Sequence, residues 1–268
     1  MDRHIKAVGA LLLDFDSKDG VGEIGIWGVR GVGKTTLVKC VYQQISRQFQ
    51  DHCYVMNDTS NYSLGCDSMC LLEEITRAAL KTTSHSVTRN CDVVKARFGH
   101  RKVLLIVDDV NHIGQLNDIS LIASWFGPRS RLIFVTQDKS LLLDSGIRHL
   151  YEVESLKYDE ALQLFSQFAF KQIHVPRGFD RFSARAVFIT GHIPLALKVF
   201  GSFLYGKNNK EWEYELLRLE ASQENWISVV SSYIGGDFYR RQPTNLDPYI
   251  GGEDDDGEEF PSYYFALG

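Results

Sequence analysis

With 44% hydrophobic and 24% charged side chains in 268 residues, the chain has the composition of an ordinary globular protein, with room for one α/β domain and a smaller companion. Its formal charge of −5 is a local feature: residues 253–259, EDDDGEE, hold six acids and no base, so the remainder carries +1, which excludes the basic field of a nucleic-acid or polybasic membrane binder. No early stretch reads as a secretory signal and apolar runs such as VLLIV at 103–107 are far too short for a membrane span, so a cytoplasmic or nuclear protein is expected.

In chain order the first strand-like run is EIGIW (23–27), followed by a helical pattern over 34–48 and a second apolar run, HCYVM (52–56). Residues 68–81 repeat apolar positions at three and four spacing (Leu71, Leu72, Ile75, Ala78, Ala79), then KVLLIVDD (102–109) reads as a strand, 112–125 as a helix, RLIFVT (131–136) as a strand and HLYEV (149–153) as a weaker one. Strands alternating with helices predict a parallel sheet covered on both faces, and near-continuous apolarity suits strands buried on both sides. After about residue 156 only amphipathic helices follow, in YDEALQLFSQFAF, GFDRFSARAVFIT, PLALKVFGSFL and KEWEYELLRLE, with Phe165, Phe168 and Phe170 read as core. The expected organisation is a sheet domain over 1–155, a helical unit over 156–220 and a tail over 221–268. That tail loses its pattern through GG, RRQPTNLDP and GGEDDDGEE, and poor order is expected there apart from the aromatic end FPSYYFAL.

Five cysteines (Cys40, Cys53, Cys66, Cys70, Cys91) make no paired framework and are read as reduced thiols. Cys66 and Cys70 share a helical face but lack a second Cys/His pair at zinc spacing, and His85, His112 and His149 gather no ligand partners.

The chemistry lies in GIWGVRGVGKTTL, residues 25–37, which puts four glycines in nine positions at the junction of a strand-like run and a helix-like one. Gly28-x-x-x-x-Gly33-Lys34-Thr35 fits the phosphate-binding loop, in which glycines let backbone N–H groups turn toward an anion at a helix's positive end. Lys34 is then expected on the β- and γ-phosphates and the Thr35 hydroxyl on Mg²⁺. Such a site needs a carboxylate at a neighbouring strand end, and LLIVDD delivers Asp108 and Asp109. One acid holds the metal, directly or through water, and the other orients or deprotonates an attacking water. Asp108 is assigned to the metal and Asp109 to the water.

These residues resemble the nucleotide-binding NB-ARC domain of plant disease-resistance proteins, most of all the class that carries an N-terminal TIR domain. The resemblance covers roughly residues 1–220 through five blocks in order: GIWGVRGVGKTTL, KVLLIVDDV, SRLIFVTQDKSLL, LKYDEALQLFSQFAFKQ and GHIPLALKVFGSFL. It implies a P-loop sheet domain followed by a small all-α ARC1-like subdomain, with ADP or ATP and Mg²⁺ as cofactors. It further implies a Walker A segment over Gly28, Gly31, Val32, Gly33, Lys34, Thr35 and Thr36, a Walker B pair at Asp108 and Asp109, and Pro194 touching the base. The implied function is a switch or adaptor in plant immune signalling, held off by ADP and turned on by exchange for ATP, with at most slow ATPase turnover. Partners implied beyond the nucleotide are full-length resistance proteins or other signalling proteins.

The chain departs from the family pattern at three places. Gln137 stands where an arginine usually approaches the γ-phosphate, and a neutral amide supplies no such charge. His192 replaces a usual glycine beside Pro194, where its ring is expected to alter the adenine pocket. Residues 221–268 do not resemble the winged-helix ARC2 segment with its MHD motif, and TIR and leucine-rich-repeat regions are not matched, so the expectation is a truncated product or a fragment with a divergent end. A degenerate scaffold acting through protein contacts alone, and a true P-loop ATPase or kinase, stand as alternatives.

Overall fold

The fold was determined as a computed structural model, which describes residues 2–14, 20–56, 95 and 98–221. The proposed helix over 68–81, Cys66, Cys70, Cys91 and nearly all of the tail lie outside the described residues. The chain divides after Glu154 into two compact units.

The first unit is a five-stranded sheet: β1 (Gly22–Trp27), β2 (Asp51–Met56), β3 (Val103–Val110), β4 (Arg131–Thr136) and β5 (His149–Glu152), in the order β2-β3-β4-β1-β5. Every neighbouring pair is parallel. All five strands were expected from their apolar runs, each within a residue or so of its bounds. Parallel strands need crossover elements, and these cover both faces. Along β3, Leu104 and Ile106 pack against Ile5, Val8 and Leu12 of α1 (Asp2–Asp14) and Leu37, Val38 and Val41 of α2 (Lys34–Ile45). The alternate residues Val103, Leu105 and Val107 pack against Leu116, Ile119 and Ile122 of α3 (Ile113–Ala123) and Leu142 of α4 (Lys139–Asp144). α2 and α3 match the expected helices, with a 3-10 turn over Ser46–Gln48 completing the first. Helices α1 and α4 were not anticipated from the sequence.

The second unit is helical: α5 (Tyr158–Phe170), α6 (Asp180–Ile189), α7 (Pro194–Leu204) and α8 (Asn209–Ala221). Its core is aromatic, with Trp212 stacked on Phe170 at 5.3 Å and meeting Phe165 and Phe179 edge-on at 5.9 and 5.2 Å. Local chemistry starts these helices where they start. The Lys157 N–H donates to Glu160 Oε2 at 2.9 Å, and the Asn208 N–H to Glu211 Oε2 at 2.8 Å, while Asn208 Oδ1 accepts from the Lys210 N–H at 3.0 Å. Pro194 opens α7, where its missing N–H leaves no bond unmade.

Candidate functional site

The carboxyl ends of β1, β3 and β4 build the site. Between Trp27 and Lys34 the chain turns sharply into α2, and two glycines make that turn possible. At Gly28 a Cβ would lie 2.8 Å from the Val153 carbonyl oxygen, because the chain after β5 runs close alongside and the Val153 N–H donates to the Trp27 carbonyl at 2.8 Å. At the N-cap of α2, Gly33 has φ 105°, a left-handed conformation that side chains oppose, and no side chain caps the helix there. Its first-turn N–H groups are therefore free of side-chain acceptors and carry the helix's positive end, which is the arrangement an anion fits. Gly31 also has positive φ, at 79°, while Val32 is buried and packs into the core on the α2 face. Thr35 and Thr36 occupy the first turn, both half-buried.

Lys34 is folded over the loop, its Nζ donating to the carbonyls of Gly28 at 2.7 Å and Val29 at 3.1 Å. Burial pulls its pKa below the ordinary lysine value; the charges of Asp108 and Asp109 act to raise it, and Arg30 to lower it. The charges of Asp108 and Asp109 thus act on Lys34. The sheet order explains why. One strand, β4, separates β1 from β3, so their ends are two strand spacings, about 10 Å, apart.

Asp108 is 2% exposed at the end of β3. Its Oδ2 accepts from the Tyr54 hydroxyl at 2.6 Å and its Oδ1 from the Asp109 N–H at 2.9 Å. Both oxygens of the buried carboxyl group are thus satisfied within the protein. Burial first, then the bond to Asp108 and its charge, push the Tyr54 phenol far above its ordinary range, so it stays a donor. Asp109 is half-buried and sits at φ 62°, inside the interruption where β3 and β4 lose register between Val107 and Val110. The irregularity turns two adjacent acids into differently placed groups, one buried and tied, one more open.

Among the described residues no cluster of three or more His, Cys, Asp or Glu is placed to hold a metal by itself. Magnesium takes one or two protein oxygens and fills its shell with water and substrate phosphates. The residues present fit such an ion: a held carboxylate at Asp108, a hydroxyl at Thr35 in the first turn of α2 and a glycine loop leading into that helix.

Past β4, Gln137 is exposed, and Asp138 caps α4 by accepting from the Ser140 N–H at 2.8 Å. Pro194 and His192 belong to the helical unit. His192 takes φ 59°, the conformation for which a glycine would be the unstrained choice. It is held there by Leu156: the Leu156 N–H donates to the His192 carbonyl at 3.1 Å, and His192 Nδ1 lies 3.2 Å from the Leu156 carbonyl. Sequence reasoning did not find Tyr54, because its partner is 54 residues away and no spacing rule links them.

No helix among the described residues is long and apolar enough to cross a membrane. A solved structure of Cdc6p from Pyrobaculum aerophilum has the same fold at a TM-score of 0.53 and 14% identity, covering 74% of this chain and 59% of that one. In Arabidopsis thaliana, the disease resistance protein CHS1 is 47% identical over 230 residues (86% of this chain, 53% of the relative), and CHL1 is 44% identical over 231 (86% and 49%). A probable disease resistance protein of the same plant, RPP1, is 34% identical over 238 residues, 87% of this chain and 20% of its own length. The chain spans about half, or less, of the length of these relatives. The model of the NB-ARC domain matches residues 2–174, and with the loop, the buried acid and the sheet order in place the chain belongs to the NB-ARC domain family.

Proposed function

We propose that the chain is a nucleotide-binding switch or adaptor module in plant disease-resistance signalling, which holds ADP or ATP with Mg²⁺ and hydrolyses ATP slowly or not at all. The observation that supports this reading is that the glycine loop carrying Lys34 and the strand end carrying the buried, doubly bonded Asp108 leave the same, carboxyl, side of a parallel sheet, one strand apart in its order. In it, the amides of residues 28–36 and the Lys34 ammonium take the β- and γ-phosphates, and Thr35 and Asp108 hold the metal, which when bound neutralises phosphate charge. Asp109, more open than its neighbour, orients the attacking water. Gln137 offers no positive charge to a γ-phosphate, which favours storage of ADP over sensing of ATP. Residues 1–155 act as the nucleotide domain and 156–220 as an ARC1-like unit whose Pro194 meets the base. The named relatives are disease resistance proteins, which supports the place in disease-resistance signalling; in this reading the chain acts in the cytoplasm or nucleus beside full-length resistance proteins or other signalling proteins.

Thermal unfolding with and without nucleotide tests the reading. ADP at a hundredfold over its dissociation constant stabilises the folded chain by about 2.7 kcal/mol, a rise in Tm of roughly 5–10 °C. ADP is expected to stabilise at least as well as ATP, and Lys34→Ala to abolish both shifts. No shift with either nucleotide in a folded sample favours the scaffold that acts through protein contacts alone.

A further inference from the structure

The metal carboxylate stands where its own strand stops being secured. Pairing of β3 with β4 lapses after Val107, and the next-but-one residue, Asp109, has positive φ, so the β4 side does not fix the backbone around Asp108. On the other side β2 continues in register, with Met56 opposite Asp108. Tyr54 is therefore the diagonal neighbour of Asp108 on the same face, within the reach of an aromatic side chain. Its hydroxyl donates to Asp108 Oδ2 at 2.6 Å. The Tyr54 ring is itself braced by Tyr42 of α2, edge-on at 5.8 Å, and the Tyr42 hydroxyl is hydrogen-bonded to His52 Nδ1 at 2.6 Å.

We propose that Tyr54 is a positioning residue for the magnesium carboxylate: its hydroxyl, braced from the helix that carries Lys34 and Thr35, sets the rotamer of Asp108 that receives the ion. The inference rests on the reading of Asp108 as the metal ligand. Hydrogen bonds to a ligating carboxylate fix its orientation, and their loss commonly weakens metal affinity by 10- to 100-fold. Tyr54→Phe removes one oxygen and leaves the ring against Tyr42. Tyr42→Phe removes a hydroxyl from the same cluster but leaves the Tyr54–Asp108 bond, and so controls for packing.

The experiment is calorimetric titration of the full chain with ADP, in EDTA and across a series of MgCl₂ concentrations. The wild-type chain is expected to bind ADP without metal and to gain affinity as Mg²⁺ is added. Tyr54→Phe is expected to keep the metal-free affinity while needing about tenfold more Mg²⁺ for the same gain; Tyr42→Phe is expected to titrate like the wild type. An unchanged Mg²⁺ requirement in Tyr54→Phe, an equal rise in Tyr42→Phe, or no Mg²⁺ gain in the wild type overturns the positioning role while nucleotide binding stands. No ADP binding by the wild type overturns the nucleotide reading and this inference with it.

Discussion

The two units bury different things. In the sheet unit the interior admits ionisable groups: His4 bonded to the Tyr151 hydroxyl at 2.7 Å, Arg131 donating to the Leu12 and Ser130 carbonyls, and Asp108 held by Tyr54. Among the described residues of the helical unit the buried polar ones are small hydroxyls, Ser166, Ser183 and Thr190, and two of them bond back to their own helices, Ser166 to Leu162 and Thr190 to Val187. Its charges meet at the surface, where Arg185 forms pairs with Glu213 at 2.9 Å and Glu220 at 2.8 Å. The helical unit is held mainly by an apolar core rich in aromatic rings, whereas the sheet unit accepts costly buried polarity where a charge has to be kept in one place.

The largest expected effect follows from the aromatic core. Trp212 is fully buried against four phenylalanines, so Trp212→Ala is expected to cost about 3–5 kcal/mol, read as a lowered urea midpoint by circular dichroism. A loss under about 1 kcal/mol breaks the comparison, since the helical unit would then have another source of stability. Next comes Arg185→Ala, expected to cost about 1 kcal/mol, the upper range for exposed pairs, because two carboxylates share one guanidinium. The bond to Arg185 lowers the Glu220 pKa, so this contribution is fully present above the ordinary glutamate value of 4.5 and is lost as the pH falls through the lowered one. The gap between variant and wild type, measured by denaturation from pH 7 downward, is expected to close in that acid window and to narrow in high salt. The smallest effect belongs to Asp109→Asn, since asparagine tolerates positive φ: stability is expected to change by less than about 0.5 kcal/mol, with ADP affinity retained and any phosphate release reduced in a single-turnover assay.

What was legible in the sequence follows the same division. The strands could be read because residues buried on both faces leave continuous apolar runs, as LLIV in β3 does. The phosphate loop could be read because its glycines answer a backbone demand that few other residues meet. Helix α1 escaped although Ile5, Val8 and Leu12 repeat at helical spacing: three residues make a narrow stripe, and the polar His4 is buried beside them. Tyr54 escaped for a different reason. Nothing local marks a tyrosine in HCYVM as the keeper of an acid on the next strand; only the β2–β3 register makes them neighbours. The glycine-like backbone at His192 was likewise visible only as a departure from pattern, and its pairing with Leu156 needed the fold.

The order of the strands has a consequence for how the chain is made. The strand leading into the phosphate loop, β1, pairs with β4 and β5 and with neither of the strands that follow it directly. Ribosomes add roughly 5–20 residues per second, so β1 is synthesised about 6–25 s before its second partner is complete at Glu152. Until β4 is complete at Thr136 both edges of β1 are open hydrogen-bonding surfaces, and one edge stays open until Glu152. Nascent-chain complexes halted before residue 131 should consequently expose β1 to chaperones and to one another, and those released beyond residue 152 should not.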